Sequence, residues 1–392
     1  MKNPHLQFSL LTAAMIMLSG CAAKSQPQQP HPAIGVREGF KLEIVQNEIN
    51  KPRFMQFDDE GTLYVSLPHA GKIKTCKDKD GDGYYETVTD FVTGHPTVHG
   101  MDWKNGWMWY TESGAIFKAR DIDGDGRSDE KVTVIPEGEL PKGGGHWWRP
   151  VLIHNNRIYT EIGCSGNITD ESDTERMKIW SFALDGTDKQ LFASGLRNTE
   201  KLIVRPGTDE IWGMDHGSDW FGRVMEKKAP GRNQPITNLN PPEEMNHYVK
   251  GGYYGHPFIV GSKIPRYEYM DREDIVELAE KTIPPEWNGG AHWAANAMTF
   301  YTGDHFPKSY KNDAFVAYHG SWNREERAGY CVTRVYFEDG DPWGEKKYVN
   351  FLGENRKLLG RPVDVVVAPD GSLLISDDWG NVIYRLSYKR NQ

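Results

Sequence analysis

The stretch KNGWMWYTES, residues 104–113, decides how this chain is read. A polar turn built from Asn105 and Gly106 gives way at once to an aromatic, apolar run, and GAIFKAR (114–120) supplies a second strand-like run behind it. Turn residues followed by alternating apolar ones read as a β-hairpin. The same unit returns at DDEGTLYVS (58–66), HNNRIYTEIG (154–163), GTDEIWGMD (207–215), KNDAFVAYHG (311–320) and PDGSLLISD (369–377). Six units, spaced roughly 40–60 residues apart with one long gap, predict an all-β fold: a six-bladed β-propeller. The competing arrangement is a pair of β-sandwiches. The gap, 221–300, is rich in Pro, Gly, Asn and Tyr and reads as long loops over one face, with REDIVELAEK (272–281) as the best short helix candidate.

The beginning of the chain points to a compartment. Lys2 opens a short basic region, FSLLTAAMIML is too short an apolar stretch to span a bilayer, and LSGC closes it. This resembles a bacterial lipobox, which implies a signal peptide over 1–20 and a lipid on Cys21. With Ala22 and Ala23 following, the expectation is a lipid-anchored protein of the bacterial cell envelope, on the outer membrane facing the periplasm. Residues 21–35 then read as a flexible tether and 36–390 as the propeller body. The chain carries 46 Lys and Arg against 55 Asp and Glu, a net charge of −9, which argues against nucleic acid as a partner. Cys76, Cys164 and Cys331 allow at most one intramolecular disulfide, and no CxxCH marks a c-type haem.

Two strings, DKDGDGYYE (78–86) and DIDGDGRSDE (121–130), place Asp at calcium-loop positions 1, 3 and 5 and Gly at 6. Position 9 adds Glu86 or Asp129, but position 12 is Thr89 or Val132 where an EF-hand needs a bidentate Glu. Asp78, Asp80, Asp82 and Glu86, with Asp121, Asp123, Asp125 and Asp129, are therefore read as hairpin loops at blade edges. Structural calcium and plain acidic turns both remain open there, and a calcium sensor is excluded.

In a propeller, strand ends from all blades meet at a central channel, so polar residues at those ends are the candidates for function. GGGHWWRP (143–150) presents His146 just before a blade strand, with glycines that let backbone approach a ligand. GLRN and DHGSD, within 195–219, put Arg197 and Asn198 at the start of one strand and a polar cluster at the end of the next. AYHGSWNR (317–324) ends another strand with His319 and Arg324. GRPVDVVVAPDG (360–371) sets Arg361 before a nearly continuous apolar strand, and KPRFMQF adds Arg53.

These motifs resemble the glucose/sorbosone dehydrogenase family: GLRN…PGTDEIW…DHGSD, FVAYHGSWNR and GRPVDVVVAPDGSLLISDDWGNVIYRLSY carry the likeness, which covers about residues 36 to 388. It implies a six-bladed propeller that uses pyrroloquinoline quinone (PQQ) and calcium. By that resemblance His146 is the catalytic base, within GGGHWWRPVLIHNNRIYTEIGCSGN, and the carbonyls of Gly217 and Ser218 hold the cofactor calcium. Arg197, Asn198, Arg324, Arg361, His319 and Arg53 would surround the cofactor, because PQQ carries three carboxylates and arginine pairs with carboxylates bidentately. A sugar is the expected substrate and a separate cytochrome or quinone the electron acceptor. The chain departs from the family where Lys201 or its neighbours replace a glycine, and where Cys164 stands in place of an acidic residue. Two rival functions are a metal-dependent lactonase-like hydrolase, which would want several inward carboxylates on one ion, and a non-catalytic glycan- or protein-binding propeller.

Overall fold

The structure, a computed structural model, describes residues 26–221 and 235–389. Among the described residues it contains six four-stranded antiparallel blades, five of them in sequence order from the innermost strand outward. One short strand is added to each of two blades, and Ile259–Val260 and Ile264–Pro265 form a separate two-stranded sheet. The innermost strands are Met55–Phe57, Met101–Lys104, Leu152–His154, Thr199–Val204, Ala295–Phe300 and Pro362–Val367. Each packs on the next in this order and the last packs on the first, which closes a ring around a channel. The chain is a six-bladed β-propeller, as the hairpin count predicts. Each of the six quoted units turns out to be the connection from an innermost strand to the second strand of its blade.

Turn chemistry explains why these units were visible. Asn105 and Gly106 have φ of 54° and 75°, and Asn155 and Asn156 have φ of 47° and 58°. Both are two-residue hairpins with positive φ at each central position, which Asn and Gly tolerate and whose twist matches the strands.

The ring is locked at two places. The sixth blade takes three strands from the C-terminal region and its outermost, Phe40–Gln46, from the N-terminal region, paired in antiparallel register with Val382–Tyr388. Phe40 lies in an aromatic cluster with Phe306, Tyr348 and Tyr388 at centroid distances of 5.0, 5.2 and 5.3 Å. Between innermost strands, buried carboxylates stand in for a ladder. Asp102 accepts from the Ile153 amide at 2.6 Å, and Asp364 accepts from the Met55 amide at 2.9 Å and from Lys201 at 2.6 Å. Lys201 is thus a structural cross-brace between the fourth and sixth blades.

Two expectations need correction. Residues 28–35 are not a flexible tether: Gln28 bridges Ile44, Ile34 is buried in the core, and Gly35–Val36 adds a strand beside Asn350 and Val349. Ile34 has apolar surface to bury and an unpaired strand edge lies next to it. The gap 221–300 is likewise more than loops. It supplies Glu244–Tyr248 and Trp287–Asn288 to the fourth blade, Gly252–Tyr253 to the third, and the innermost strand of the fifth. The short helix expected near 272–281 is present as Ile275–Lys281. Cys76, Cys164 and Cys331 are buried free thiols, so no disulfide forms among the described residues, and Cys21 lies outside them.

Candidate active site

All six innermost strands begin at one end of the channel, and all six second strands finish there. Residues just before the first and just after the second therefore converge, whatever their separation in sequence. Arg53 is 4% exposed and forms the centre of this ring. Its Nη2 lies 2.8 Å from Glu200 and its Nη1 3.0 Å from Asp378, while the guanidinium covers the Trp148 ring at 4.4 Å. Glu200 also accepts from Asn198 at 3.4 Å and from Asn296 at 3.2 Å. His319 continues the network, with Nε2 2.9 Å from Asp378 and Nδ1 2.9 Å from Nη2 of Arg361. Since arginine can only donate, Nδ1 of His319 accepts and Nε2 carries the hydrogen given to Asp378.

The electrostatics follow from burial and this company of cations. Burial, against the pull of Asp378, brings His319 down to about 4. Burial would raise Asp378, but His319, Arg53 and Arg361 hold it below the usual carboxylate range. His216 is pushed down to about 3 by burial and then by Arg197, His319 and Arg53. A histidine that feels all three of these side chains sits where the fourth, fifth and first blades meet, and its Nε2 is buried without a partner among the described residues.

Arg197 is held at its tip by Asn167 and at 3.3 Å by Asp219, and its backbone amide, with that of Asn198, donates to Asp215 at 2.8 and 2.6 Å. The Arg361 guanidinium, by contrast, has no carboxylate within 4 Å among the described residues and bonds to His319, while the Arg361 backbone amide donates to Asp377 at 3.0 Å. Gly217 packs so closely that a Cβ would lie 2.4 Å from the Pro242 carbonyl oxygen. Ser218 is buried, and Arg266 clamps its loop through the Ser218 hydroxyl and the Trp220 carbonyl. The carbonyls of Gly217 and Ser218 accept no hydrogen bond among the described residues.

His146 comes up on the third blade. Fully buried Arg149 anchors the loop from beneath, donating to the carbonyls of His146 and Pro141 at 3.3 and 2.6 Å. Gly163 makes room for the histidine, since a Cβ there would lie 2.7 Å from that of His146. Its Nδ1 is 2.8 Å from the Cys164 carbonyl oxygen and 3.1 Å from the Cys164 sulfur. Burial first, then the charge of Arg197, pushes His146 down to about 2.

Arg324 does not join this ring. Its Nη1 donates to the Ala291 carbonyl at 3.1 Å, and its charged neighbours are Arg356 and Glu326. The turn after Ala314–Tyr318 directs His319 inward and carries Arg324 to the rim, which corrects the expected convergence. In the Asp-rich loops, Asp78, Asp80 and Glu86 gather within 4.8 Å, as do Asp121, Asp123 and Asp129. Asp82 and Asp125 stay out of these groups and accept from the amides of Tyr84 and Arg127. Both loops join the two outer strands of their blades, away from the channel. Sequence reasoning missed Glu200, Asp378, Trp148 and the position of His216; the doubled Asp of ISDDWG was the one local signal for Asp378.

This is the mouth of a propeller channel lined by arginine, histidine and buried carboxylate, with a histidine whose Nε2 is left open beside it. The chain belongs to the TrAA12-like family, matching it over residues 34–389. An uncharacterized protein of Borreliella burgdorferi is 26% identical over 409 residues, covering 100% of both chains. A pyrroloquinoline quinone-dependent pyranose dehydrogenase of Coprinopsis cinerea is 24% identical over 344 residues, 78% of this chain and 45% of that protein, so the match spans under half of the fungal enzyme. Among solved structures, the Trichoderma reesei protein of carbohydrate-active enzyme family AA12 superposes with a TM-score of 0.78 at 18% identity, covering 93% of this chain and 100% of that one. The holo PQQ domain of a Coprinopsis cinerea pyranose dehydrogenase does so at 0.76 and 17%, covering 92% and 98%. These structures share the six-bladed fold.

Proposed function

We propose that the protein is a sugar dehydrogenase that uses PQQ and calcium, oxidising an aldose or a sorbosone-like aldehyde. The observation that carries this reading is Arg361: a half-buried guanidinium without a carboxylate partner among the described residues, beside His319. A guanidinium so uncompensated suits an anion, and PQQ carries three carboxylates. Arg361 and Arg197 would bind it directly. Arg53, already neutralised by Glu200 and Asp378, would hold the floor with Asn198 and His319. Calcium takes oxygen ligands, and the carbonyls of Gly217 and Ser218, unpaired among the described residues, would supply two.

When bound, PQQ supplies the acceptor for hydride from the sugar carbon. The chain's own contribution is a proton acceptor, orientation and charge. His146 is neutral at physiological pH, so Nε2 is ready to take the hydroxyl proton. An anionic ligand near Arg197 offsets the field that depresses this histidine and makes it a better base in the complex. The hydrolase alternative loses support, because the acidic groups able to hold a metal among the described residues both lie at blade edges. Electrons would leave to a separate cytochrome or quinone. A lipid on Cys21 would keep the enzyme on the outer membrane facing the periplasm.

Titrating the cofactor-free protein with PQQ and calcium, and following the cofactor absorption, tests the proposal. Saturable binding and dye reduction with an aldose are expected. No spectral change at a stoichiometric excess of PQQ would overturn it.

A further inference from the structure

The partner of His146 is the least expected feature of the site. The Cys164 thiol is fully buried, and burial pushes it up to about 12, so it carries no charge. Its hydrogen is already committed, because Sγ donates to the Gly166 carbonyl at 2.8 Å. A thiol whose hydrogen points elsewhere offers lone pairs to its other neighbours. Nδ1 of His146 therefore faces two acceptors from one residue, the Cys164 carbonyl oxygen at 2.8 Å and the sulfur at 3.1 Å. A carbonyl oxygen can only accept, so the hydrogen belongs on Nδ1 and the lone pair on Nε2.

We propose that Cys164 is the positioning residue of His146, fixing the Nδ1–H tautomer and the ring direction with two neutral acceptors in place of a charged partner. The inference rests on His146 being the base, as argued above. A carboxylate at this position would orient the ring equally well but would also draw a proton onto it. Cys164 separates these effects: it orients without charging. The largest other electrostatic influences on His146 come from Arg197, His216 and Arg176, with His256 nearby, and none of these is anionic. The imidazole accordingly stays uncharged into acid solution, and its Nε2 remains open for a substrate proton.

The test begins on the cofactor-free protein, where it does not depend on PQQ. Long-range 1H–15N correlation of the histidine rings, assigned with a His146→Asn variant, should show His146 protonated at Nδ1 and free at Nε2 from pH 8 to 5. The opposite tautomer, or an imidazolium signal at pH 6, overturns the proposal. Cys164→Asp should raise the His146 pKa by more than about one unit, as a carboxylate beside an imidazole does. Cys164→Ser, which keeps an acceptor at the same place, should retain the wild-type tautomer. In the loaded enzyme Cys164→Ala should lower kcat by about tenfold or more with KM little changed, the usual sensitivity to a misaligned base, and serine should restore it. Equal kcat in the alanine and wild-type proteins also overturns the proposal. A failure confined to turnover would count against the PQQ reading and leave the tautomer result standing.

Discussion

The channel mouth and the two Asp-rich loops are the charged regions of this propeller, and they are built in opposite ways. Each loop draws its carboxylates from nine consecutive residues, at the exposed edge of one blade. The mouth draws Arg53, His146, Arg197, His319 and Arg361 from five blades, burying Arg53 and Arg197 and leaving the other three half-buried. In the loops each carboxylate accepts from at least one nearby amide, as Asp78 does from Gly81 and Gly83. At the mouth the central charge, Arg53, depends on Glu200 and Asp378 from the fourth and sixth blades, which only ring closure delivers. A motif compact in sequence makes a local device, whereas a site spread over the chain is a property of the whole fold.

The sharpest way to break this comparison is to remove the centre of the ring. Arg53→Ala leaves Glu200 buried without its cation, and breaking such a pair from one side costs about 3–5 kcal/mol. Urea denaturation should register that loss; a change within about half a kcal/mol, as for a surface residue, would make the mouth no more integrated than the loops. Arg197→Ala and Arg361→Ala should each weaken PQQ binding by roughly 30-fold to several thousandfold, the effect of unpairing a buried carboxylate. Absorption titration measures this, and Arg324→Ala serves as the rim control, with affinity unchanged.

The loops should respond more weakly and to a different reagent. If calcium occupies them at about 100 times its dissociation constant, it contributes about 2.7 kcal/mol, so chelation should lower the melting temperature even without PQQ. Replacing Asp78 and Asp121 together by Ala should abolish the chelator effect. An unchanged melting temperature in the wild-type protein would reduce both loops to turns.

The most gradual effect concerns pH. His319 titrates near 6.5 in an unfolded chain but is held down to about 4 in the ring. Between these values acid is taken up by the unfolded chain and not by the folded one. Stability is therefore present above 6.5 and lost as pH falls toward 4, by up to about 1.4 kcal/mol per pH unit from this residue. Urea denaturation at pH 6.5, 5.5 and 4.5 should give a shallower decline for His319→Gln. Equal slopes would mean that His319 is already charged beside Asp378.

What the sequence reveals follows the same division. Six hairpins announced six blades because Asn and Gly turns with apolar runs are local chemistry. The fourth blade hid its third strand: Glu244–Tyr248 reads EMNHY, and its buried Glu244 and Asn246 break the apolar alternation that marks a strand. Ile34 gave no sign that it enters the core, since a single apolar residue in a polar stretch has no period. Arginines before apolar strands could be picked out as candidates, and the family resemblance organised them into one site. Their partners could not be found, because Glu200 and Asp378 meet Arg53 only after the ring closes. Arg324 and His319 share one motif, and nothing in YHGSWNR states which of them the turn directs inward.

Closure through Phe40–Gln46 has a consequence for biosynthesis. A ribosome makes this strand roughly 340 residues before its partner Val382–Tyr388, and at about 5–20 residues per second it waits for tens of seconds. Throughout that interval Leu42 and Val45, buried in the finished protein, lack the neighbours that cover them. No nascent fragment lacking its last residues can seal the ring. An early strand is completed last, so interrupted synthesis yields an open chain that proteases and chaperones can tell from a finished one.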